Sequence, residues 1–149
     1  MLYAARVTQE EDGRWLVTFR DLPAAMTDGA TRREATAEAA DCLSEALAEA
    51  IVRERRIPAP SAARRGEALV APEPTVAHKA MLHAALQESG LSVAALARRL
   101  GVEEREVRRF LDPRHPTKIP RLSAALAALG RQVALTGYAL DAGAKARAA

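Results

Sequence analysis

Three arginines and a glutamate share the outer face of a short predicted helix near residue 105. The stretch 92–111, SVAALARRLGVEEREVRRFL, contains two amphipathic segments that meet at Gly101. Residues three and four apart share a helical face, and the apolar faces are formed by Leu96, Ala97 and Leu100, then by Val107, Phe110 and Leu111. The residues left facing outward on the second segment are Glu104, Arg105, Arg108 and Arg109. Because the arginine fork matches guanine O6/N7 and phosphate oxygens, these four are the candidate DNA-reading residues.

The spacing around Gly101 is typical of a tight turn between two packed helices. Ala97 is small where the helices approach, Gly101 can end the first helix in a left-handed conformation, and Val107 lies six residues later. This spacing resembles the helix-turn-helix of the Cro/repressor-like (Xre) family, which implies that the second helix enters the DNA major groove. That family usually has Ser or Thr, which cap a helix, where this chain has Glu103. A carboxylate there suits the positive helix end but repels phosphate.

A simpler interpretation of the same charges is a solvated ion pair. Glu104 and Arg108 are four residues apart, and such a pair on a helix surface contributes only about 0.2–0.5 kcal/mol. The glycine turn and the two phased apolar faces favour DNA binding over this alternative.

Basic and acidic residues are distributed unequally between the two halves of the chain. Of its 149 residues, 1–73 hold 10 Lys and Arg against 13 Asp and Glu, whereas 74–149 hold 12 against 6. The basic half is the half with the outward arginines. This asymmetry indicates nucleic acid as the partner of the second half and a basic protein as a candidate partner of the first.

The first half has the pattern of a small sheet and one long helix. Strands are predicted at 2–9 and 14–19, joined by a hairpin, with a short strand at about 25–27 before a turn at Asp28-Gly29. A T-x-x-E capping box at Thr31 and Glu34 begins a helix that runs to about residue 55, and 67–71 can form a last strand. The inward helix positions are Ala35, Ala39, Leu43, Leu47 and Ile51, and the outward ones include Glu38, Asp41, Glu45 and Glu49.

The second half is predicted to be helical. After a short linker at 73–75, helices are expected at 76–90, within 92–111 and at 121–130, followed by a short strand at 132–136 that could pair with a second copy. The fold class is therefore α+β. A β-β-β-α-β domain at 1–72 precedes an all-α helix-turn-helix domain at 76–141 and a frayed tail at 142–149.

The first half also resembles a known family. The residues that carry the resemblance are Tyr3, Gly13, Val17-Thr18-Phe19, Asp21-Leu22-Pro23, Thr27-Asp28-Gly29, Glu34-Ala35, Ala39, Leu47, Ile57-Pro58 and Pro60. In this order they resemble the partial RNase H fold of HicB-type antitoxins, many of which carry a C-terminal Xre-type helix-turn-helix. The resemblance implies a type II antitoxin that binds and occludes a HicA-like, mRNA-cleaving toxin and represses its own operon. Separately from the resemblance, we expect a homo-oligomer, either a dimer or a tetramer. Ala24-Ala25 replaces the Pro-Gly common in that family.

A toxin-binding surface is expected where a short strand is bordered by turns, since such an edge is open to docking. The candidate toxin-binding residues are Asp21, Leu22, Pro23, Met26, Thr27 and Asp28. An acidic domain here would cover the basic RNA-binding surface of the toxin.

Catalysis is not expected. A nuclease needs acidic residues that converge on a metal ion, whereas Asp21 and Asp28 are expected to cap local backbone in turns. His78 and His83, five residues apart, are expected at the helix surface, and Cys42 is expected to be a small buried thiol. We therefore predict no catalytic residue, metal or cofactor. The chain has no run of 18 apolar residues, which favours a cytoplasmic protein that does not bind membranes.

Two alternatives stay open on the sequence alone. One is an Xre-type transcriptional regulator whose first half is a sensor or interaction domain without a toxin partner; the low aromatic content, 3%, argues against an apolar ligand pocket. The other is an interaction protein whose helix-turn-helix no longer binds DNA.

Overall fold

The computed structural model describes residues 1–134 and has an α+β architecture. The strands are β1 (Tyr3–Gln9), β2 (Trp15–Phe19), β3 (Met26–Gly29) and β4 (Glu67–Val70). The helices are α1 (Arg32–Val52), α2 (Pro74–Ser89), α3 (Val93–Leu100), α4 (Glu104–Leu111) and α5 (Ile119–Ala128). The predicted order of strand, strand, strand, helix and strand in the first half is confirmed.

The four strands form one antiparallel sheet in the order β3-β2-β1-β4. Val17 lies opposite Val7 on β1 and opposite Thr27 on β3, which fixes the register of the three strands. Val17 and Phe19 are buried, as the alternation along β2 predicts. β3 and β4 are the two edges of the sheet, so each has one side without a strand partner in the described chain.

Helix α1 covers one face of this sheet. The predicted cap is present with one difference. The N–H of Glu34 donates to Thr31 Oγ1 (3.1 Å), but the Glu34 carboxylate accepts from the N–H of Ala30 (2.9 Å), one residue before the cap, rather than from that of Thr31. The predicted inward stripe is buried throughout, and the outward acidic residues are exposed. The helix ends in a turn in which Glu54 has a left-handed φ of 51°.

The predicted turn at Asp28-Gly29 is wrong, because both residues belong to β3. Gly29 is buried and pairs with Trp15 on β2. A Cβ at Gly29 would lie 2.5 Å from the backbone nitrogen of Ala35. The glycine is therefore required by the close approach of α1 to the edge strand, and the sequence pattern alone does not distinguish this role from a turn.

Helix α2 begins two residues earlier than predicted, so Pro74 and Thr75 of the predicted linker lie in its first turn. Glu73 is the N-terminal cap: its carboxylate accepts from the N–H of Val76 (2.8 Å), and its own N–H donates to Ser44 Oγ (2.8 Å). Proline suits the first helical turn because that N–H has no helical partner. The division into two domains stays a prediction.

Helix α2 contributes to both apolar cores. Ala80, with Val76 against it, packs in the core between α1 and the sheet, whereas Leu82 and Leu86 pack in the core formed with α3, α4 and α5. One rigid helix therefore connects the two cores directly.

The predicted C-terminal elements lie largely beyond what the structure describes. Residues 132–134 of the expected strand are not in strand conformation. Residues 135–141, which include the rest of that strand, and the expected tail at 142–149 lie outside the described residues.

We expect Gly29→Ala to destabilise the fold by roughly 2–3 kcal/mol, since overpacking a close contact commonly costs about 1–3 kcal/mol. Urea denaturation followed by circular dichroism measures this change. Gly13→Ala is the control: Gly13 has a φ of 85°, but a Cβ added there would meet no atom within 4 Å. Only the cost of the left-handed conformation, roughly 1–2 kcal/mol, then applies. An equal or smaller loss for Gly29→Ala would contradict the proposed close approach.

Candidate DNA and protein interfaces

Helices α3 and α4 are joined by a tight turn at Gly101. Gly101 has a left-handed φ of 66°, and the N–H of Val102 donates to the carbonyl of Ala97 (3.1 Å). Ser92 caps α3 by accepting from the N–H of Ala95 (3.1 Å). Leu96, Ala97, Val107 and Phe110 are buried. The predicted turn and both apolar faces are therefore present, and they leave the opposite face of α4 open.

The four candidate DNA-reading residues lie on that open face: Glu104, Arg108 and Arg109 are exposed, and the Arg105 side chain is largely exposed. The Arg108 guanidinium lies 3.3 Å from the Glu104 carboxylate, and Arg105 lies 2.7 Å from Glu103. The side chains of Arg105 and Arg108 keep 74% and 68% of their surface exposed. Arg109 makes no ion pair within residues 1–134. Exposed pairs of this kind contribute about 0–1 kcal/mol, so a phosphate or a base can replace them at little cost.

The start of α4 differs from a conventional helix cap. Glu103 occupies the cap position, but its side chain makes no hydrogen bond to the helix backbone. Its carboxylate faces Arg105 instead. The negative charge beside the open helix end is therefore partly neutralised by an arginine of the same face.

Packing on α5 fixes the other side of α4. Glu106 forms an ion pair with Arg121 of α5, and the Arg121 guanidinium carbon lies 5.2 Å from the centroid of the Phe110 ring. Glu106 and Phe110 belong to the inner side of α4, and this contact leaves the outward residues free.

Lys79 is a functional candidate that the sequence analysis missed. It lies on α2 and is fully buried, with 0% of its surface exposed. Its ammonium group donates to the carbonyls of Arg109 (3.2 Å), Asp112 (2.5 Å) and His115 (2.7 Å), and it lies 3.2 Å from Thr117 Oγ1. Burial lowers the pKa of the Lys79 ammonium, and nearby carboxylates oppose that shift.

These contacts bind the end of α4 and the loop after it, residues 112–117, to α2. The carbonyl at the end of a helix has no helical donor, and a cation near a helix C-terminus is favourable. Lys79 therefore positions the exit of α4 without lying on its outer face. No local sequence signal identifies it, because its partners are 30 to 38 residues away.

The candidate toxin-binding segment lies at the β3 edge, and its residues divide into two groups. Pro23, Met26 and Asp28 are exposed, with Met26 60% exposed. Leu22 and Thr27 are half-buried, and Leu22 packs against the core of the sheet. The exposed members are thus available to a partner, while the others support the edge.

The prediction that the aspartates of this segment cap local backbone is wrong. Asp21 accepts from the N–H of Ser61 (2.8 Å), 40 residues away, and also from Ser61 Oγ (2.8 Å). The hydrogen bond from the Ser61 backbone lowers the pKa of Asp21 most, with the Ser61 hydroxyl next. Asp28 forms an ion pair with Arg14 across the sheet edge. Asp21 therefore fastens the loop before β4 to the end of β2.

The histidines are placed differently from the prediction. His78 and His83 are buried rather than at the surface: His78 Nδ1 lies 2.7 Å from the carbonyl of Pro74, and His83 Nε2 lies 3.0 Å from that of Arg55. The turn after α1 packs on α2 and covers His83, which the periodicity of α2 could not show. Cys42 is half-buried, and burial raises the pKa of its thiol.

Neither a metal cluster nor a membrane span is found in the part of the chain that the structure describes. Within residues 1–134, no three His, Cys, Asp or Glu side chains lie together as a metal-ion site would require. Over the same range, every helix is too short or too polar to cross a bilayer.

Comparison with known proteins identifies the class of this chain. The family described as HicB-like antitoxins of bacterial toxin-antitoxin systems matches residues 2–81, which include the whole sheet, α1 and the first half of α2. The chain therefore belongs to the HicB-like antitoxin family.

Relatives extend this likeness over both halves. Antitoxin HicB 2 of Photorhabdus laumondii is 38% identical over 135 residues, which cover 91% of this chain and 95% of the relative. Antitoxin HicB of Escherichia coli K12 is 33% identical over 135 residues, covering 91% and 98% of the two chains. Antitoxin HicB of Pseudomonas fluorescens is 36% identical over 135 residues, covering 90% and 92%. These relatives support an antitoxin role and a regulatory rather than catalytic one.

We expect Lys79→Met to lower the free energy of unfolding by roughly 2–3 kcal/mol, because several buried acceptors lose a charged donor. Urea denaturation measures this loss, and hydrogen exchange should show faster opening of residues 112–117. Lys118→Met serves as the control, since Lys118 is exposed and makes none of these contacts. Unchanged stability and unchanged exchange in Lys79→Met would show that the buried ammonium does not hold this loop.

Proposed function

We propose that this chain is the antitoxin of a type II toxin-antitoxin system and that it acts by binding at two places. Its first half binds and occludes a HicA-like, mRNA-cleaving toxin, and α3 and α4 act as an Xre-type helix-turn-helix that represses its own operon. The observation that carries this proposal is the family likeness, which covers about nine tenths of the chain in the named relatives and so includes both halves.

DNA binding is supported by the geometry of α4. Its outer face presents Arg105, Arg108 and Arg109 to solvent on a helix held from behind by α2 and α5. A helix of this kind enters the major groove, where arginine pairs with guanine O6/N7 or with phosphate. In a symmetric dimer, two such helices would contact half-sites about 34 Å apart. Dimer or tetramer formation and action in the cytoplasm belong to the same proposal.

Toxin binding is supported by the open edge of the sheet and the charge of the first half. The β3 edge presents Met26 beside Pro23 and Asp28, and the outward face of α1 is acidic. A toxin that binds RNA has a basic surface, so complementary charge accelerates association and apolar contacts then hold the complex. The bound antitoxin would exclude RNA by covering that surface.

The DNA-binding half of the proposal is tested with the double substitution Arg105→Ala and Arg109→Ala. Binding to DNA from upstream of the chain's own gene should weaken by roughly 1–3 kcal/mol for each base-reading arginine. The dependence of affinity on salt should also become shallower if phosphate contacts are lost. Fluorescence anisotropy at several salt concentrations measures both quantities.

The matched control for that experiment is the double substitution Arg6→Ala and Arg65→Ala. It removes the same charge from exposed positions in the first half, outside α4. If both double variants bind DNA like the unaltered chain, the helix-turn-helix does not read this DNA. If the unaltered chain does not bind this DNA at all, it is an interaction protein rather than a repressor.

The toxin-binding half is tested with Met26→Arg. A charge on the proposed apolar contact should weaken capture of the small protein encoded next to this chain at least about tenfold, because desolvated contacts hold such a complex. The same substitution should reduce rescue of growth when the two proteins are co-expressed. Leu69→Arg is the control, because Leu69 is 49% exposed on the opposite edge strand, β4. Failure of the unaltered chain to capture this neighbour would favour an Xre-type regulator without a toxin partner.

A further inference from the structure

A shallow groove runs along the exposed side of α1, with a volume of about 590 Å³. Half of its lining residues have small side chains: Ala24, Ala25, Cys42, Ser44, Ala46 and Ala48. We call this the α1 groove. One end lies at Ala24 and Ala25, directly before β3, and small side chains along it let a partner's backbone approach closely.

The far end of the α1 groove is formed by the second half of the chain. Pro113 and Arg114, from the loop after α4, line the groove together with Val52 of α1. A second depression of about 720 Å³ shares Val52 and Pro113 as lining residues, and Arg108 of α4 lies on its wall. The two depressions thus meet at Val52 and Pro113, between the candidate toxin edge and the candidate DNA helix.

The loop that forms this far end is held in place. Lys79 donates to the carbonyls of Asp112 and His115, one on each side of Pro113 and Arg114, and also to the carbonyl of Arg109 in α4. A partner that touches Pro113 or Arg114 therefore touches a segment fixed to α4 through the same ammonium group.

The charge of the groove indicates the chemistry of its occupant. Glu45 and Glu49 line it, with Glu49 in an ion pair with Arg53, and Glu38 and Asp41 continue the acidic face of α1. Val52, at 56% exposure, adds an apolar contact next to these carboxylates. The positive charge of Arg114 at the far end gives the groove a polarity. It fits a segment that carries Lys or Arg over α1 and an acidic group at its end.

We propose that the basic toxin occupies the α1 groove from Ala24 to Arg114 and so contacts both halves of the antitoxin at once. This inference rests on the proposed function for the identity of the partner, and it adds the path of the partner and a physical link to DNA binding. The loop held by Lys79 is then a physical connection between the two proposed binding surfaces, and any coupling that it transmits is reciprocal. The competing occupant is a second copy of this chain.

The experiment compares Ala48→Arg with Ala37→Arg in the full-length chain. Both add an arginine to an exposed or half-exposed position of α1, but only Ala48 lines the groove. Binding of the toxin encoded next to this chain is measured by isothermal titration calorimetry. Ala48→Arg should weaken binding at least about 30-fold, because the new positive charge would face the basic toxin. Ala37→Arg should change the affinity less than about threefold, because the toxin does not contact that position. Thermal unfolding should be similar for the two variants.

A second pair of variants tests the contact with the other half. Arg114→Glu reverses the charge at the far end and should weaken toxin binding at least about fivefold, whereas Arg98→Glu, on the exposed side of α3, should not. Hydrogen exchange of the unaltered complex should show protection at 42–52 and at 112–117 together.

The outcomes separate this inference from the function it rests on. If the unaltered chain does not bind the toxin at all, the proposed antitoxin function is overturned, and the proposal that the toxin occupies the α1 groove is overturned as well. If toxin binds but Ala48→Arg behaves like Ala37→Arg, the antitoxin function stands and the groove assignment is overturned. If Ala48→Arg changes only self-association in sedimentation, the occupant is a second copy and the inference is likewise overturned.

Discussion

The buried ammonium group of Lys79 is the contact on which the arrangement of the second half depends. Removing an unpaired cation from water costs several kcal/mol, so it can persist only where its donors are satisfied. Here four oxygen atoms surround it, and all belong to the end of α4 or to the loop that follows. The desolvation cost and the hydrogen bonds together allow one placement of α4 on α2 and disfavour others. This contact therefore helps to determine where the outward arginines of α4 lie.

The sheet in the first half is governed by a different constraint, the close packing of α1 against β3. Ala35 and Ala39 bring the helix near the strands, and Gly29 allows the edge strand to pass beneath its first turn. Small residues at this contact leave the larger apolar side chains, such as Leu43 and Leu47, to fill the core farther along α1. The helix thus holds the edge strand in place while its own outer face stays acidic and open.

Features that repeat along the chain could be predicted from the sequence. The four-residue stripe of α1, the alternation of β2 and the glycine turn between α3 and α4 are local patterns, and the structure contains all three. The outward placement of Arg105, Arg108 and Arg109 followed from the same reasoning, since burying one face of a helix determines the other.

Contacts between distant parts of the chain could not be predicted in this way. The sequence around Lys79 is that of an ordinary helical lysine, and its first hydrogen-bond partner, Arg109, lies 30 residues later in the chain. Asp21 has the sequence context of a turn residue, yet its partner, Ser61, is 40 residues away. Asp-Gly usually marks a turn, whereas the role of Gly29 is to make room for a helix. In each case the contact that determines the role of the residue is made by a distant segment, which local periodicity does not describe.

Helix α2 contributes side chains to both apolar cores, and this bears on how the protein would be removed from a cell. Opening of α2 would disrupt the packing of both cores, and both halves would then be accessible to proteases at the same time. The candidate toxin-binding surface and the candidate DNA-binding surface would then be degraded at the same rate. Any partner bound to the first half and any DNA bound to the second would then be released together.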